Sequence, residues 1–333
     1  MPRTPVNQLR FDMPVRKQTF LLRDKIVSTT RVGNSMLRVT LADRTGTIAG
    51  VMFDVPGNVP DSLEVGRGVE VAGKVGEFRG QMQIALERIV PVELDKLDEF
   101  LPVAKRPRDE MLAEFDALLA SVTQPDLVRL LGAIFDDKTI YDGFTQAPAA
   151  KVNHHACVGG LLEHTLSVAR IVLTACSLYP EMDHDLAVTV ALLHDLGKIW
   201  AYDPMSFQLT DEGLLWTHLY AGASAVQHAI DSLPGFSTEL RLRVVHAILA
   251  HHGRLEHGSP VVPSTVEAIV LHYADNLDGD ARGAIDHLER TPSESGAFTD
   301  RSMMHDTRIY RGASDWAEGA ENGPFPPSQS PLL

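Results

Sequence analysis

Seven side chains from His164 to Asp275 are of types, and follow in an order, that could hold divalent cations. They are His164, then His194 and Asp195 within Leu193-His194-Asp195-Leu196-Gly197-Lys198, then His218, His251-His252 and Asp275. Imidazoles and carboxylates carried on separate helices can hold cations at the centre of a bundle, and such cations do the hard part of phosphate-ester hydrolysis. Asp195 ends an apolar run, Val188 to Leu193. That run carries a carboxylate to a buried position, where a cation offsets the cost of desolvation. His251 and His252 would point about a hundred degrees apart on a regular helix, but just before Gly253 both can reach one cavity.

His164, His194, Asp195 and Asp275 therefore read as one ligand set, and His218, His251 and His252 as a second. Mixed imidazole and carboxylate donors suit manganese, iron, cobalt or zinc better than magnesium or calcium. Asp195 is the candidate bridge, since it sits beside His194 and can serve two ions. Two ions would lower the pKa of a shared water for in-line attack on phosphorus. Lys198 could neutralise charge on the phosphoryl oxygens. Lys151, His154 and His155 precede the first ligand helix, where they either contact phosphate and ribose or cap and decorate the surface. His155 joins Asp195 and Lys198 as a candidate catalytic residue.

The elements that must position these groups fall into two kinds. Residues 18–93 alternate with a period of two and glycine punctuation: Leu37, Val39 and Leu41 share one face, and Asp43-Arg44-Thr45-Gly46 is a hairpin turn. Further strands are expected at Ile48 to Phe53, at Val69, Val71 and Val75 with a break at Gly73, and at Met82, Ile84 and Leu86. Five short strands in such a span suit a small closed barrel of the OB-fold type. Residues 94–150 read as a helical connector that docks onto the domain C-terminal to it. Residues 151–290 carry a helical period throughout, with helices expected over Leu161–Leu178, Leu186–Trp200, Thr217–Leu233, Thr238–His251 and Thr265–Glu289. Residues 291–333 are rich in Ser, Gly and Pro and read as a disordered tail.

The chain has 333 residues and a net charge of −14, which at first argues against a nucleic-acid partner. The distribution changes that. Residues 1–93 hold 13 Lys and Arg against 10 Asp and Glu, so the acidic excess lies beyond them. Barrels of this type bind single strands by stacking bases on aromatics while cations track phosphates. Arg38, Phe53, Lys74, Phe78 and Arg79 are the candidates here, with Phe53 also readable as a core residue. The N-terminus lacks the apolar stretch of a signal peptide, no run reaches the length of a membrane helix, and the two cysteines, Cys157 and Cys176, have no CxxC spacing. A cytoplasmic protein with no membrane partner is the simplest expectation.

The order His…His-Asp…Asp resembles the HD-domain phosphohydrolases, and the added His218 and His251-His252 resemble the subset with a binuclear centre. More narrowly, three segments resemble the YhaM-type 3′–5′ exoribonucleases. They are Ala147 to Thr165, with His154-His155 and Gly159-Gly160-Leu161-Leu162-Glu163-His164; His251-His252-Gly253 with Gly258-Ser259-Pro260; and Leu271-His272-Tyr273-Ala274-Asp275-Asn276-Leu277-Asp278. The resemblance spans about residues 18–290. It implies an OB-fold barrel followed by an all-α HD-domain bundle, the metal ligands already named, and two Mn²⁺ ions. It also implies release of nucleoside 5′-monophosphates from the 3′ end of single-stranded RNA, with single-stranded DNA as a second substrate to consider. Gly160 stands where a cyclic-dinucleotide-cleaving branch often has Glu, which counts against that branch and a third metal. Two other functions stay open, namely a phosphohydrolase of small nucleotides with a regulatory barrel, and a non-catalytic nucleic-acid-binding adaptor. The oligomeric state is open as well, a homo-oligomer included.

Overall fold

The computed structural model describes residues 3–29, 33, 35–78, 80–94, 96–151, 155–291 and 297–312. Period-two alternation yields the strands β1 (Pro14–Thr29), β2 (Ser35–Asp43), β3 (Gly46–Phe53), β4 (Gly68–Phe78) and β5 (Gln81–Val92), with a short helix α1 (Val59–Ser62) between β3 and β4. They close in the order β1-β2-β3-β5-β4, the OB-fold barrel that the alternation predicts. β1 is long enough to pair with β4 along its first half and with β2 along its second, and bulges let it bend around the barrel. Leu37, Val39 and Leu41 fill the interior with Phe20 and Ile84. The break expected at Gly73 does not occur. β4 runs through it, and the interruption takes the form of a register shift at Ala72/Gly73, where a side chain would meet the Ala85 carbonyl oxygen at 2.0 Å and only glycine fits.

The helices are α2 (Arg108–Ser121), α3 (Pro125–Phe135), α4 (Lys138–Gln146), α5 (Gly160–Leu178), α6 (His184–Leu193), α7 (Lys198–Ala201), α8 (Asp211–Leu215), α9 (Thr217–Asp231), α10 (Thr238–Ala250) and α11 (Val266–Arg290). α2 to α4 share one apolar core with the rest of the bundle. Phe115 is the hub, with ring centroids 5.0 Å from Phe135 and 5.3 Å from Phe144. The helix expected over Leu186–Trp200 is in fact two. α6 ends at Leu193 and the chain turns through His194 to Gly197, because Gly197 lies against the start of α9. Any Cβ there would sit 2.0 Å from the His218 carbonyl oxygen. Asp183, Ser237 and Thr265 cap α6, α10 and α11 by accepting main-chain N–H bonds, which fixes where the ligand-bearing helices begin. α5 is long and apolar enough to cross a membrane by composition alone, but half of it is buried in the bundle, as a core helix would be.

Part of the segment assigned to a tail is ordered. β6 (Phe298–Ser302) and β7 (Thr307–Tyr310) form a hairpin. Its polar residues are buried against α11, where His287 Nε2 meets Thr299 Oγ1 at 3.1 Å and His305 Nε2 meets the Asp280 carbonyl oxygen at 2.9 Å. Composition hid this because the contacts are polar. Residues 313–333 lie outside the described residues.

Barrel and bundle meet through a small apolar cluster of Leu21 and Ala42 from the barrel, Phe100 and Leu101 from the linker, and Met205 and Phe207 from the loop between α7 and α8. Arg67 pairs with Asp203 of that loop at 3.0 Å.

Candidate metal centre

Five elements bring the seven predicted ligands together. α5 supplies His164, the turn after α6 supplies His194 and Asp195, and the first turn of α9 supplies His218. The end of α10 supplies His251 and His252, and the middle of α11 supplies Asp275. The donor atoms of these seven form two groups, His164 with His194, Asp195 and Asp275, and His218 with His251 and His252, and a third group of metal-binding types, His155 with His164 and Asp278, lies beside the first. Asp195 faces both. Its Oδ2 is 3.3 Å from His164 Nε2 and 3.4 Å from His194 Nε2. Its Oδ1 is 3.4 Å from His218 Nε2 and 3.6 Å from His251 Nε2.

Hydrogen bonds on the far side of the rings set which nitrogen faces inward. Nδ1 is bonded to Asp278 Oδ2 in His164, and to the carbonyl oxygens of Ala191, Ile248 and His257 in His194, His251 and His252. A neutral imidazole has one N–H, so in each of these rings Nε2 presents a lone pair to the centre. His164 Nε2 and His194 Nε2 then stand 3.2 Å apart, and His218 Nε2 and His252 Nε2 likewise. In the first pair two lone pairs face each other, and lone pairs that close repel unless a proton or a cation sits between them. Both carboxylate oxygens of Asp195 and Nε2 of His251 are buried without an aligned hydrogen bond. This donor set fits bound divalent metal.

The electrostatics agree. Burial alone would raise the Asp195 carboxyl, but Lys198 and the imidazoles hold it well below the usual carboxylate range. Burial opposes a charge on His164 too, yet Asp195, Asp275 and Asp278 pull its pKa well above the ordinary imidazole value. A proton is drawn to the place where a cation would bind. His218 goes the other way: burial, aided by Lys198, His251 and His252, keeps it neutral and able to donate a lone pair. Lys198 Nζ lies 2.5 Å from Asp195 Oδ2. It therefore reaches the Asp195 carboxylate directly.

Two groups that carry no role in the sequence reading complete the site. Asp278 accepts from His164 Nδ1 at 2.7 Å and lies 3.1 Å from His155 Nε2, while His155 Nδ1 lies 3.0 Å from Glu163 Oε2. Asp278 follows Asp275 by three residues on α11, so both face the same way, a spacing that could have revealed it. His155 is thus buried and positions ligands through Asp278. Its backbone has a positive φ of 56°, and a Cβ on Gly160 would lie 2.0 Å from its carbonyl oxygen. No larger residue fits at 160. Lys151 is exposed, and His154 lies outside the described residues.

An HD-domain family model matches residues 161–280, and a model of OB-fold nucleic acid binding domains matches residues 21–92. The 3′-5′ exoribonuclease YhaM of Bacillus subtilis is 32% identical over 297 residues, covering 88% of this chain and 93% of the relative. Its namesake from Bacillus pumilus is 31% identical over 285 residues, covering 84% and 88%. That from Bacillus licheniformis is 33% identical over 284 residues, again covering 84% and 88%. The chain belongs to the YhaM exoribonuclease family.

In this member of the YhaM family the barrel carries an open groove of about 340 Å³ lined by Arg38, Phe78 and Met82, among others. Arg38 and Phe78 are thus brought together. Phe53 is exposed at the end of β3 rather than in the barrel core. Lys74 pairs with Asp12 at 2.6 Å and is not among the groove residues. Arg79 lies outside the described residues.

Proposed function

We propose that this chain is a metal-dependent 3′–5′ exoribonuclease that releases nucleoside 5′-monophosphates from single-stranded RNA. The observation that carries this is Asp195, whose two oxygens each face a separate set of imidazole nitrogens, so that it could serve two cations. Manganese suits the donor set, with iron, cobalt and zinc chemically acceptable. When bound, such cations lend Lewis acidity to the phosphoryl oxygens and lower the pKa of the attacking water. The chain's own part is to keep Asp195 and Asp275 ionised, to hold the Nε2 lone pairs inward, and to fix His164 through Asp278. Lys198 supplies a buried positive charge beside Asp195. The barrel groove, with Phe78 as a stacking surface and Arg38 beside it, holds the strand upstream of its reacting end. Polarity and the RNA substrate are carried over from the named relatives. Free thiols at Cys157 and Cys176 accord with a cytoplasmic setting.

The test is a time course on 5′-labelled single-stranded RNA with Mn²⁺, beside a chelated control and Asp195→Ala. A metal-dependent ladder shrinking from the 3′ end is expected with the native chain alone. Asp195→Ala should lose both turnover and bound metal while its far-ultraviolet circular dichroism stays native. An intact strand beside hydrolysed free nucleotides would overturn the reading in favour of a small-nucleotide phosphohydrolase. An intact strand with no hydrolysis of either would leave a binding adaptor.

A further inference from the structure

A cavity of about 580 Å³ opens where the barrel meets the bundle, lined by none of the groove residues and none of the seven candidate ligands. Arg44, Lys96, Lys105, Arg106 and Arg108 line it, against a single acidic side chain, Asp98. In a chain of net charge −14 that local balance runs against the background. Three of the cations are tied behind the wall, Lys96 to Glu99 at 3.8 Å, Lys105 to Glu289 at 2.5 Å and Arg106 to Glu114. Arg44 and Arg108 have no carboxylate partner among the described residues. Arg108 is oriented by Thr145, whose carbonyl and hydroxyl oxygens each accept one of its N–H groups at 3.2 Å. Nη1 of Arg106 is buried without a partner. Two unpaired guanidinium groups around a roomy hollow are suited to anionic oxygens, which they can bind in bidentate fashion.

We propose that this cavity is a second phosphate-binding site, taking a phosphate of a nucleotide unit. Its size lies within the usual range for small-ligand sites. Its wall is also part of the catalytic scaffold. The Arg106 main-chain N–H donates to Glu163 Oε1 at 3.3 Å, and Glu163 holds His155. Val158 and Gly159, which line the cavity, lead directly into α5 and His164. A phosphate held here is therefore braced by the same residues that position the first metal ligand. That the phosphate belongs to a strand passing from barrel to bundle rests on the exoribonuclease reading; the phosphate chemistry itself does not.

The test compares the native chain with Arg44→Ala/Arg108→Ala in three titrations: inorganic phosphate, adenosine 5′-monophosphate, and a labelled RNA of about a dozen nucleotides with metal chelated. Loss of two phosphate contacts should weaken RNA binding about tenfold and reduce its salt dependence by about 1.4 in log–log slope, at about 0.7 per phosphate for a single strand. Hydrolysis of a dinucleotide, too short to span both sites, should be unchanged. Arg44→Lys/Arg108→Lys keeps the charge but not the bidentate fork, so it should recover only part of the affinity, and a native circular dichroism spectrum of both variants excludes misfolding as the cause. If the monophosphate or phosphate titration is the one that weakens, the occupant is a free nucleotide and the site stands even if RNA is not the substrate. Equal binding of all three probes by native and variant chains would overturn the proposal.

Discussion

Asp278 Oδ2 lies 2.7 Å from His164 Nδ1, and this contact decides which nitrogen of the first ligand ring faces Asp195. The same carboxylate touches His155, so a single side chain orders a ring in the centre and a ring behind it. Asp278→Ala removes both restraints without touching a donor atom of the metal groups at Asp195. Partners of this kind typically contribute ten- to a hundredfold in metal affinity. A loss of that size is expected in a Mn²⁺ titration followed by calorimetry, with native circular dichroism. Unchanged affinity would show that His164 is held by packing alone.

Gly197 makes a second, purely steric prediction. Its Cα approaches α9 so closely that a methyl group would meet the His218 carbonyl oxygen at 2.0 Å and the Gly222 nitrogen at 2.5 Å. Both neighbours are backbone, so α9 must move. Gly197→Ala should cost about 1–3 kcal/mol of stability, as overpacking does. It should also weaken metal binding, because His218 moves with the helix. Denaturant unfolding with and without Mn²⁺ separates the two effects; a fully stable variant with intact metal binding would refute the argument.

The groove on the barrel offers a test independent of the metal. Phe78 is half exposed and shares the groove with Arg38 and Met82. Stacking on one aromatic contributes about 1–3 kcal/mol per base. Phe78→Ala should therefore raise the Kd for a single-stranded oligonucleotide roughly five- to a hundredfold. Turnover of a dinucleotide should stay the same. Equal losses on both substrates would remove the groove from strand binding.

Much of this was legible in the residues. The candidate ligands could be picked out because a His, a His-Asp pair, further histidines and an Asp follow one another on separate apolar helical stretches. The barrel could be read because Leu37, Val39 and Leu41 alternate cleanly. What escaped was whatever depends on distant segments meeting. The junction cluster draws Leu21, Phe100 and Phe207 from three separate stretches, and no local period announces it. The break between α6 and α7 arises from α9 lying against Gly197, which only the folded chain reveals. The β6–β7 hairpin was masked by a composition that suits loops as well as polar strands.

Asp43 predicts a pH dependence of stability remote from the metal. Burial works to raise its carboxyl, but hydrogen bonds from Thr45, Val6 and Arg3 outweigh it and lower the pKa. Folding thus favours the ionised form. The contribution is complete above the ordinary Asp value of about 3.9 and is lost as pH falls through the lower folded pKa. Asp43→Asn should cost about 1.5–3 kcal/mol near neutrality, the range for hydrogen bonds to charged groups. Thermal melts of both chains from neutral to acid pH should converge at the acid end. A constant gap across that window would mean that the charge on Asp43 is immaterial.

Met205 and Phe207, which seat the barrel, lie on the stretch of chain that runs from Lys198 to His218. The two lobes are for that reason not interchangeable parts. Grafting a foreign barrel onto this bundle would have to preserve the surface that receives those two side chains, or the tether between two sides of the reaction centre would slacken. Divergence in one lobe is in this way answerable to the other.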